Sequence, residues 1–311
     1  MSAHVLAVGE ALVDVVHRPD GTSEEHPGGS LANVALTLGR LGRDVRLAAW
    51  LGRDARGDDV RAWLAESRVT LVPGSDGAEA TSVAQATLDE TGAATYEFDL
   101  GWQVPAGAGA DGDTLAVHTG SIAAMLPPGG ADVRALVAVA RATSTVTYDP
   151  NARPAIMGDA AAVRPRVEEI VALADVVKVS DEDLAWLYPD RAPLDVARTW
   201  HATGPALVVV TFGGEGATAV TAAGEVTVTA PRVDVVDTVG AGDSFMGALL
   251  DGLWSANLLG AARRDALRTI PAADTESLLT RCAAVAAVTV SRAGANPPWA
   301  DELGERSKEQ S

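Results

Sequence analysis

Residues Val233–Leu250 read VDVVDTVGAGDSFMGALL and combine three local signals. The β-branched run Val233–Val236 predicts a strand, and a turn containing Gly240 and Gly242 follows it. Apolar residues then recur at i, i+4 and i+8 from Phe245, which is the spacing of one helix face. The stretch therefore predicts a strand, a glycine turn and a helix in direct succession.

Six further apolar runs alternate with helical patterns along the chain. Their hydrophobicity is continuous, which indicates strands covered on both faces, as in a parallel sheet between helix layers. We therefore predict an α/β fold with a doubly wound, mostly parallel sheet and helices on both faces. The runs are HVLAVG from His4, VRLAAWLG from Val45, TLAVHTG from Thr114, STVTYDP from Ser144, DVVKVS from Asp175 and ALVVVTFG from Ala206.

Two segments depart from this alternation. Residues 81–102 alternate polar and apolar around Glu90-Thr91-Gly92, which predicts an antiparallel hairpin, and residues 11–21 read as a second extended segment. The two segments could pair into a small β-sheet lid over a cleft at the carboxyl ends of the strands. Alternatively, they form an exposed appendage that faces solvent and has no role at the cleft. Because no linker interrupts the chain, we predict one domain over residues 1–311 with these lid segments inserted.

Composition excludes several function classes. The chain has 311 residues, with 24 Lys+Arg against 42 Asp+Glu, for a net charge of −18. Such a charge repels nucleic acid, so we expect no nucleic-acid partner. The single cysteine, Cys282, indicates a reducing compartment. No apolar run reaches the roughly 20 residues of a membrane span, and no signal-peptide pattern begins the chain, so we expect a cytoplasmic protein without a membrane partner.

Asp243 is the sharpest candidate for catalysis. The backbone amides of Gly240, Ala241 and Gly242 can face one concavity at a helix N-terminus, where orphan donors and the helix dipole favour anions. A carboxylate within an anion site would compete with a bound phosphate unless it has a chemical role, so Asp243 is a candidate base for phosphoryl transfer. The alternative is that Asp243 only caps the helix.

Two more glycine-containing turns are weaker candidates. In the segment 27–42, Gly28-Gly29 precede Ser30, a candidate N-cap, and Asn33 offers a donor and an acceptor to a polyol. An ordinary turn before a helix explains the same residues. The second turn, with Thr211, Gly213 and Gly216, could contact a nucleotide or serve as a plain hairpin turn.

Three motifs that the sequence lacks exclude further classes of protein. The chain has no G-x-x-x-x-G-K-[ST] sequence and only two lysines, Lys178 and Lys308, which excludes a P-loop mechanism. It has no zinc-ligand spacing. The first predicted strand ends in Gly-Glu-Ala-Leu, where a dinucleotide-binding fold would have G-x-G-x-x-G.

Taken together, the segments resemble the pfkB/ribokinase family of carbohydrate kinases, and within it the fructokinase-like branch. The match runs from about Val5 to Pro298, and its two most specific motifs are DTVGAGDSF and GGSLANVA. Supporting segments are VGEALVD, HTGSIA, YDPNAR, KVSDEDL, TFGGEG and SRAGANPP. The resemblance implies a ribokinase-like fold and phosphoryl transfer from ATP to a sugar hydroxyl.

The resemblance also implies residue roles. Asp243 would be the catalytic base, beside an anion hole formed by Gly240, Ala241 and Gly242. Asp14, Gly28, Gly29 and Asn33 would bind the sugar, with Arg153 in reach of the sugar or a phosphate. Lys178, Ser180, Thr211, Gly213 and Gly216 would lie on the nucleotide side.

Metal ions are implied in the same way. Ser180 and Asp183 stand where the family usually has Asn and Glu, so Asp183 would reach Mg²⁺ through water on a shortened acidic arm. Asp237, with the backbone near Arg292 and Gly294, would hold a monovalent cation such as K⁺.

The sugar is predicted from charge. No Lys or Arg occurs between Val69 and Val133, so the lid hairpin offers no cation to a sugar acid. This favours a neutral ketohexose, fructose for preference, as the substrate. The resemblance implies that a primary hydroxyl of this sugar is phosphorylated. Arg153 could pair with the carboxylate of a sugar acid, so a 2-keto-3-deoxygluconate kinase remains an alternative.

Two further functions are compatible with the same residues. A nucleoside or ribose kinase could use Tyr96, Phe98 and Trp102 as an aromatic clamp for a base. A sugar- or nucleotide-binding regulatory protein is the non-enzymatic alternative. The lid could also pair two copies of the chain as a homodimer.

Overall fold

The computed structural model describes residues 2–89 and 94–309, with residues 94 and 305–309 described by their backbone only. Within these ranges, nine strands form the main sheet in the order β13-β12-β11-β10-β9-β8-β1-β4-β5. Seven neighbouring strands of this order, from β11 across to β5, run parallel to one another. The last two strands, β12 and β13, pair antiparallel at the other edge of the sheet. Their bounds are β1 His4–Val8, β4 Val45–Ala48, β5 Val69–Leu71, β8 Thr114–Gly120, β9 Thr145–Asp149, β10 Val176–Ser180, β11 Leu207–Thr211, β12 Ala217–Thr221 and β13 Gly224–Val228.

Helices cover both faces of this sheet. They are α1 Ser30–Arg40, α2 Ala55–Glu66, α3 Gly129–Ala140, α4 Pro154–Met157, α5 Ala160–Leu173, α6 Asp181–Leu187, α7 Pro193–Thr203, α8 Ala241–Ser255, α9 Arg264–Arg268, α10 Ala272–Val290 and α11 Ala300–Glu309. Short 3₁₀ helices span Ile122–Ala124, Gly213–Glu215 and Ala261–Arg263. In the described residues, none of the helices has the length and apolar character that crossing a bilayer requires.

The sheet separates two apolar cores. Val5 and Val209 pack on one face in the core that contains Leu249 of α8. Leu6 and Val208 point to the other face, in the core that contains Ile170 of α5. Successive strand residues are thus buried on opposite sides, which explains the continuous hydrophobicity of the strands and confirms the predicted doubly wound α/β fold.

Four further strands of the described ranges form a small sheet in the order β3-β2-β6-β7: β2 Leu12–His17, β3 Ser23–Gly28, β6 Val83–Leu88 and β7 Ala94–Asp99. β2 lies within the predicted segment 11–21, and the antiparallel pair β6 and β7 lies within 81–102. The predicted turn Glu90-Thr91-Gly92 lies outside the described residues. Sequence reasoning missed β3 because its sequence, SEEHPG, is polar and mostly exposed.

Two local predictions were wrong. Val233–Val236 forms no strand, because Val235 and Val236 are exposed and do not join a ladder. Ser30 does not cap α1: Gly29 occupies the N-cap position, and the Ser30 hydroxyl bonds to Asp243 instead.

Candidate active site

Polar residues collect at the carboxyl edge of the main sheet. Because β1, β8, β9, β10 and β11 are parallel, the segments that follow them meet at one edge. Glu10 follows β1, Asn151 follows β9, and Asp183 follows β10. The first turn of α8 faces the same place, since Asn151 bonds to Asp243 in that turn.

The Asp243 carboxylate is buried and held by three side chains. Ser30 Oγ and Asn151 Nδ2 donate to Oδ1 at 2.7 and 3.0 Å, and Asn33 Nδ2 donates to Oδ2 at 2.8 Å. Gly240 is the N-cap residue of α8, and the helix has no side-chain cap. The helix-cap alternative for Asp243 is therefore wrong.

The hydrogen bonds of Asp243 leave one acceptor position open. A carboxylate offers about four lone-pair positions, two on each oxygen. Two donors occupy Oδ1, but only one reaches Oδ2. Oδ2 can therefore accept one more proton donor, such as the hydroxyl of a substrate.

The glycine turn beside Asp243 is open to solvent. Gly240 has φ +74°, and a Cβ there would lie 2.6 Å from Ala295 Cβ, so both backbone conformation and space require glycine. Gly240, Ala241 and Gly242 are half-buried, whereas Asp243 is buried. In the described part of the chain, the Gly240 and Gly242 amides have no acceptor, and the Ala241 amide donates to Thr238 O at 3.3 Å. Such a turn can bind an anion.

A buried ion pair lies beneath this turn. Lys178 Nζ donates to Asp149 Oδ2 at 2.8 Å, and both side chains are at most 3% exposed. A Cβ on Gly242 would lie 2.8 Å from the same Nζ. Burial acts to lower the pKa of Lys178, but the carboxylates of Asp149, Asp183 and Asp243 together outweigh this effect and raise the pKa on balance. The ammonium is therefore charged at neutral pH and adds positive charge next to the turn.

Three of the predicted sugar-binding residues, Asp14, Gly28 and Gly29, lie next to one another in or just after the paired strands β2 and β3. Gly28 of β3 lies so close to Asp14 of β2 that a Cβ would collide with the Asp14 carboxylate. Burial raises the pKa of Asp14, and the nearby Arg153 guanidinium opposes this shift. Gly29 has φ +108° and packs on the Glu10 backbone.

Asn33 carries an open acceptor. Its Nδ2 bonds to Asp243, and its Oδ1 is buried with no hydrogen-bond partner among the described residues. Buried polar atoms are normally satisfied, so an acceptor without a partner beside a candidate base indicates a position for a donor of a bound molecule.

The predicted nucleotide residues lie on neighbouring strands. Ser180 pairs with Thr211 in the register of β10 and β11, so the ends of these strands are adjacent. Gly213 is exposed with φ +50°, and Gly216 is buried with φ +116°, where a Cβ would collide with Val228 O. The turn between them leads into the antiparallel strand β12, as its hairpin interpretation predicted.

The predicted metal residues are tied to backbone amides. Asp183 Oδ1 accepts from Ala152 N at 2.8 Å, and Oδ2 accepts from Ser180 N at 3.3 Å. Asp237 accepts from Val239 N and Gly294 N at 2.9 Å, which brings together two of the positions expected around a monovalent cation. In the ranges that the structure describes, no group of three or more His, Cys, Asp or Glu could hold a metal ion alone.

Comparison with known proteins identifies the family. Residues 2–302 match the family model described as pfkB family carbohydrate kinase. The chain belongs to this family. The predicted family, ribokinase-like fold and enzyme class are thereby confirmed, while the residue roles remain predictions.

Relatives within the pfkB family include fructokinases. The chain is 35% identical to a fructokinase of Rhizobium leguminosarum bv. trifolii over 265 residues, which cover 82% of this chain and 81% of the relative. It is 34% identical to a fructokinase of Klebsiella pneumoniae over 266 residues, 81% of this chain and 85% of the relative. A crystal structure of a Xylella fastidiosa fructokinase with bound ATP superimposes with a TM-score of 0.83, at 26% identity and full coverage of both chains.

Sequence reasoning missed several residues of this pfkB site. Local spacing predicts a cap at Ser30, and Asn151 lies in the YDPNAR segment without a predicted role, yet both donate to Asp243. Asp149 and Glu10 carry no predicted role either. A usable signal existed, because Glu10, Asp149 and Asn151 all lie at or just after the carboxyl end of a predicted parallel strand.

Proposed function

We propose that the protein transfers the γ-phosphoryl group of ATP to a primary hydroxyl of fructose. The observation that carries this proposal is Asp243, a buried carboxylate with one open acceptor position beside a solvent-accessible glycine turn. The fructokinase relatives support the choice of sugar, and the ATP-bound neighbour supports the choice of phosphoryl donor.

The residues suit an in-line transfer. The sugar hydroxyl gives its proton to Asp243 Oδ2 while its oxygen bonds to the γ-phosphorus, and the bond from that phosphorus to the β,γ-bridging oxygen breaks. The products are sugar phosphate and ADP, and Asp243 holds the proton until it passes to solvent. The free amides of Gly240 and Gly242 and the charge of Lys178 stabilise the negative charge that develops on the transferred group.

Asp183 fits the predicted water-mediated contact with Mg²⁺. Each of its oxygens accepts one backbone amide and keeps a lone pair for the water shell of an ion. Bound with ATP, Mg²⁺ would neutralise part of the polyphosphate charge. Asp237 would hold K⁺ together with the backbone near Gly294, and comparing turnover in potassium and tetramethylammonium salts tests this part.

A neutral sugar suits the charges of the small sheet. Neither β6 nor β7 contains a Lys or Arg, so a sugar carboxylate would find Arg153 as its cation near Asp14. Arg153 already donates to Asn151 and Ala152. A 2-keto-3-deoxygluconate kinase is therefore the less favoured alternative.

The aromatic clamp of a nucleoside kinase is not present as predicted. Trp102 is 5% exposed, donates to Ala123 O and packs in the core, so it cannot stack on a base. Tyr96 and Phe98 stack on each other on the exposed strand β7, with ring centroids 6.1 Å apart.

We propose that the β7 edge of the small sheet pairs with a second copy of the chain. Light scattering of the native protein and of Phe98→Ser tests this pairing.

A substrate panel tests the proposed function. The protein is mixed with ATP, Mg²⁺ and in turn fructose, glucose, ribose, 2-keto-3-deoxygluconate, adenosine or no acceptor, and ADP release and product mass are measured. We expect the largest kcat/KM with fructose and a product heavier by one phosphoryl group. A larger value with the sugar acid or the nucleoside would replace fructose, and binding without ADP release from any acceptor would support the regulatory alternative.

A further inference from the structure

Asn151 uses all of its polar groups. It follows β9 with φ +35°, a left-handed conformation that asparagine tolerates better than most residues. Its amide N–H donates to Asp149 Oδ1 at 3.2 Å, and its carbonyl accepts from Arg153 at 3.0 Å. Its side-chain Nδ2 donates to Ser30 Oγ at 2.7 Å and to Asp243 Oδ1 at 3.0 Å. The residue thus connects the buried Asp149–Lys178 pair to the candidate base.

Arg153 and Asp243 together orient the Asn151 side-chain amide. The guanidinium carries only donors, and it contacts Asn151 Oδ1 at 2.8 Å. The carboxylate of Asp243 accepts only, on the opposite side of the amide. With the amide reversed, Nδ2 would face a donor and Oδ1 would face a carboxylate. One orientation therefore satisfies both neighbours, and it points the donor at Asp243.

We propose that Asn151, oriented by Arg153, is a positioning residue for Asp243. With Ser30 it fills both acceptor positions of Oδ1, so the open lone pair lies on Oδ2, on the side of Asn33. The sugar hydroxyl then has one oxygen to approach, in one orientation. This inference rests on the proposed function, in which Asp243 is the base.

Two substitutions at position 151 separate positioning from folding. Asn151→Asp keeps shape and tolerance of positive φ, but it places a carboxylate oxygen where Nδ2 now contacts Asp243 Oδ1. Asn151→Gly removes the donor without backbone strain, because glycine adopts positive φ freely. A lost hydrogen bond to a charged group corresponds to about 10- to 100-fold in kcat, with the KM for fructose changing less than kcat.

The pH profile distinguishes positioning from a merely structural role. Two carboxylates in contact resist ionising together, so Asn151→Asp moves the acidic limb of the kcat/KM profile to higher pH, and Asn151→Gly moves it less. Arg153→Met removes one of the two neighbours that orient the amide, while the Asp243 carboxylate still favours the same orientation; it therefore lowers kcat less than Asn151→Gly does. The matched control is Arg53→Met, because Arg53 is an exposed arginine that pairs with Asp76. We expect this variant to leave the pH profile of kcat/KM unchanged.

A second readout needs no turnover. The Asp243 ¹³Cγ resonance, assigned by its loss in Asp243→Asn, is followed by NMR from pH 3 to 9, with circular dichroism confirming that each variant is folded. We expect the titration midpoint to be higher in Asn151→Asp than in the native protein.

The two readouts separate the two ideas. An unchanged midpoint and an unchanged acidic limb in folded Asn151→Asp overturn the positioning role even if the native protein phosphorylates fructose. A raised midpoint in a protein that phosphorylates no acceptor supports the contact with Asp243 and overturns the proposed function instead. If Asn151→Asp does not fold, the kcat of folded Asn151→Gly decides, and a loss under threefold overturns the role.

Discussion

Glu10 offers a test of the site that needs no substrate. Its carboxylate lies at the junction between β1 and the small sheet and accepts from Ser30 N at 3.2 Å and Ala123 N at 3.4 Å. Burial raises the pKa of Glu10 from 4.5 to about 7, despite its hydrogen bonds to the Ser30 amide and the Ser121 hydroxyl and despite the charge of Arg153. The folded protein therefore keeps the Glu10 proton over a pH range in which the unfolded chain has lost it.

The sign and size of the effect follow from this difference. Between pH 4.5 and about 7 the unfolded chain binds fewer protons at Glu10 than the folded protein does, so stability falls as pH rises. Integrated from pH 5 to pH 8, the loss is about 2.5 kcal/mol. Glu10→Gln removes the titration, although its side-chain NH₂ facing backbone amides adds a cost that is the same at every pH.

Urea unfolding of the ligand-free protein measures the prediction. The free energy of unfolding of native protein and Glu10→Gln is determined at half-unit steps from pH 5 to pH 8, with Glu66→Gln on the surface of α2 as control. We expect the difference, variant minus native, to become more positive with pH by about 2 to 3 kcal/mol. The contributions of all remaining titrating groups cancel in this difference. A constant difference across the range would show that Glu10 titrates alike in the folded and unfolded protein, contrary to the prediction.

Substitutions at Gly240 and Lys178, each with a comparison variant, test the glycine turn and the ion pair. Gly240→Ala should lower kcat at least tenfold. It should also lower the free energy of unfolding by more than the roughly 1 to 2 kcal/mol of left-handed strain, because the new Cβ also meets Ala295. Gly42→Ala is the control: Gly42 has φ +85° and no neighbour within 4 Å, so this variant has the strain alone and should keep its kcat. Lys178→Met should cost about 3 to 5 kcal/mol because it leaves Asp149 buried without its partner. Combining it with Asp149→Asn should restore stability but not kcat, and full recovery of kcat would contradict a role for the lysine charge. Unfolding curves and ADP release measure all four variants.

The sequence predicted the main sheet well because burial on both faces leaves a strong pattern. Each of the six apolar runs contains a strand, and the helix after Gly240 extends from Ala241 to Ser255. The prediction failed where partners outside the local sequence decide. Val233–Val236 has strand-forming residues but joins no ladder among the residues that the structure describes, and β3 has few such residues but pairs with β2.

The site was predictable in its type and less so in its contacts. Asp243 and its glycines could be named as candidates because a carboxylate beside a glycine turn at a helix N-terminus would compete with an anion bound there unless it has a chemical role. The donors to Asp243 come from positions 210 and 213 residues away in α1 and 92 residues away after β9. No local pattern encodes such pairings, which arise only when parallel strands bring their ends to one edge. The Ser30 hydroxyl is an example. Local spacing predicts that it caps α1, but in the folded protein it donates a hydrogen bond to Asp243.

The base itself is tested most directly by Asp243→Asn. The kcat with fructose and ATP is measured beside the dissociation constants for both substrates, obtained by calorimetry on the folded variant. We expect kcat to fall by about 10²-fold or more while both dissociation constants stay within about tenfold of the native values. A kcat within a few-fold of native, with fructose and ATP still bound, would contradict the assignment of Asp243 as the proton acceptor.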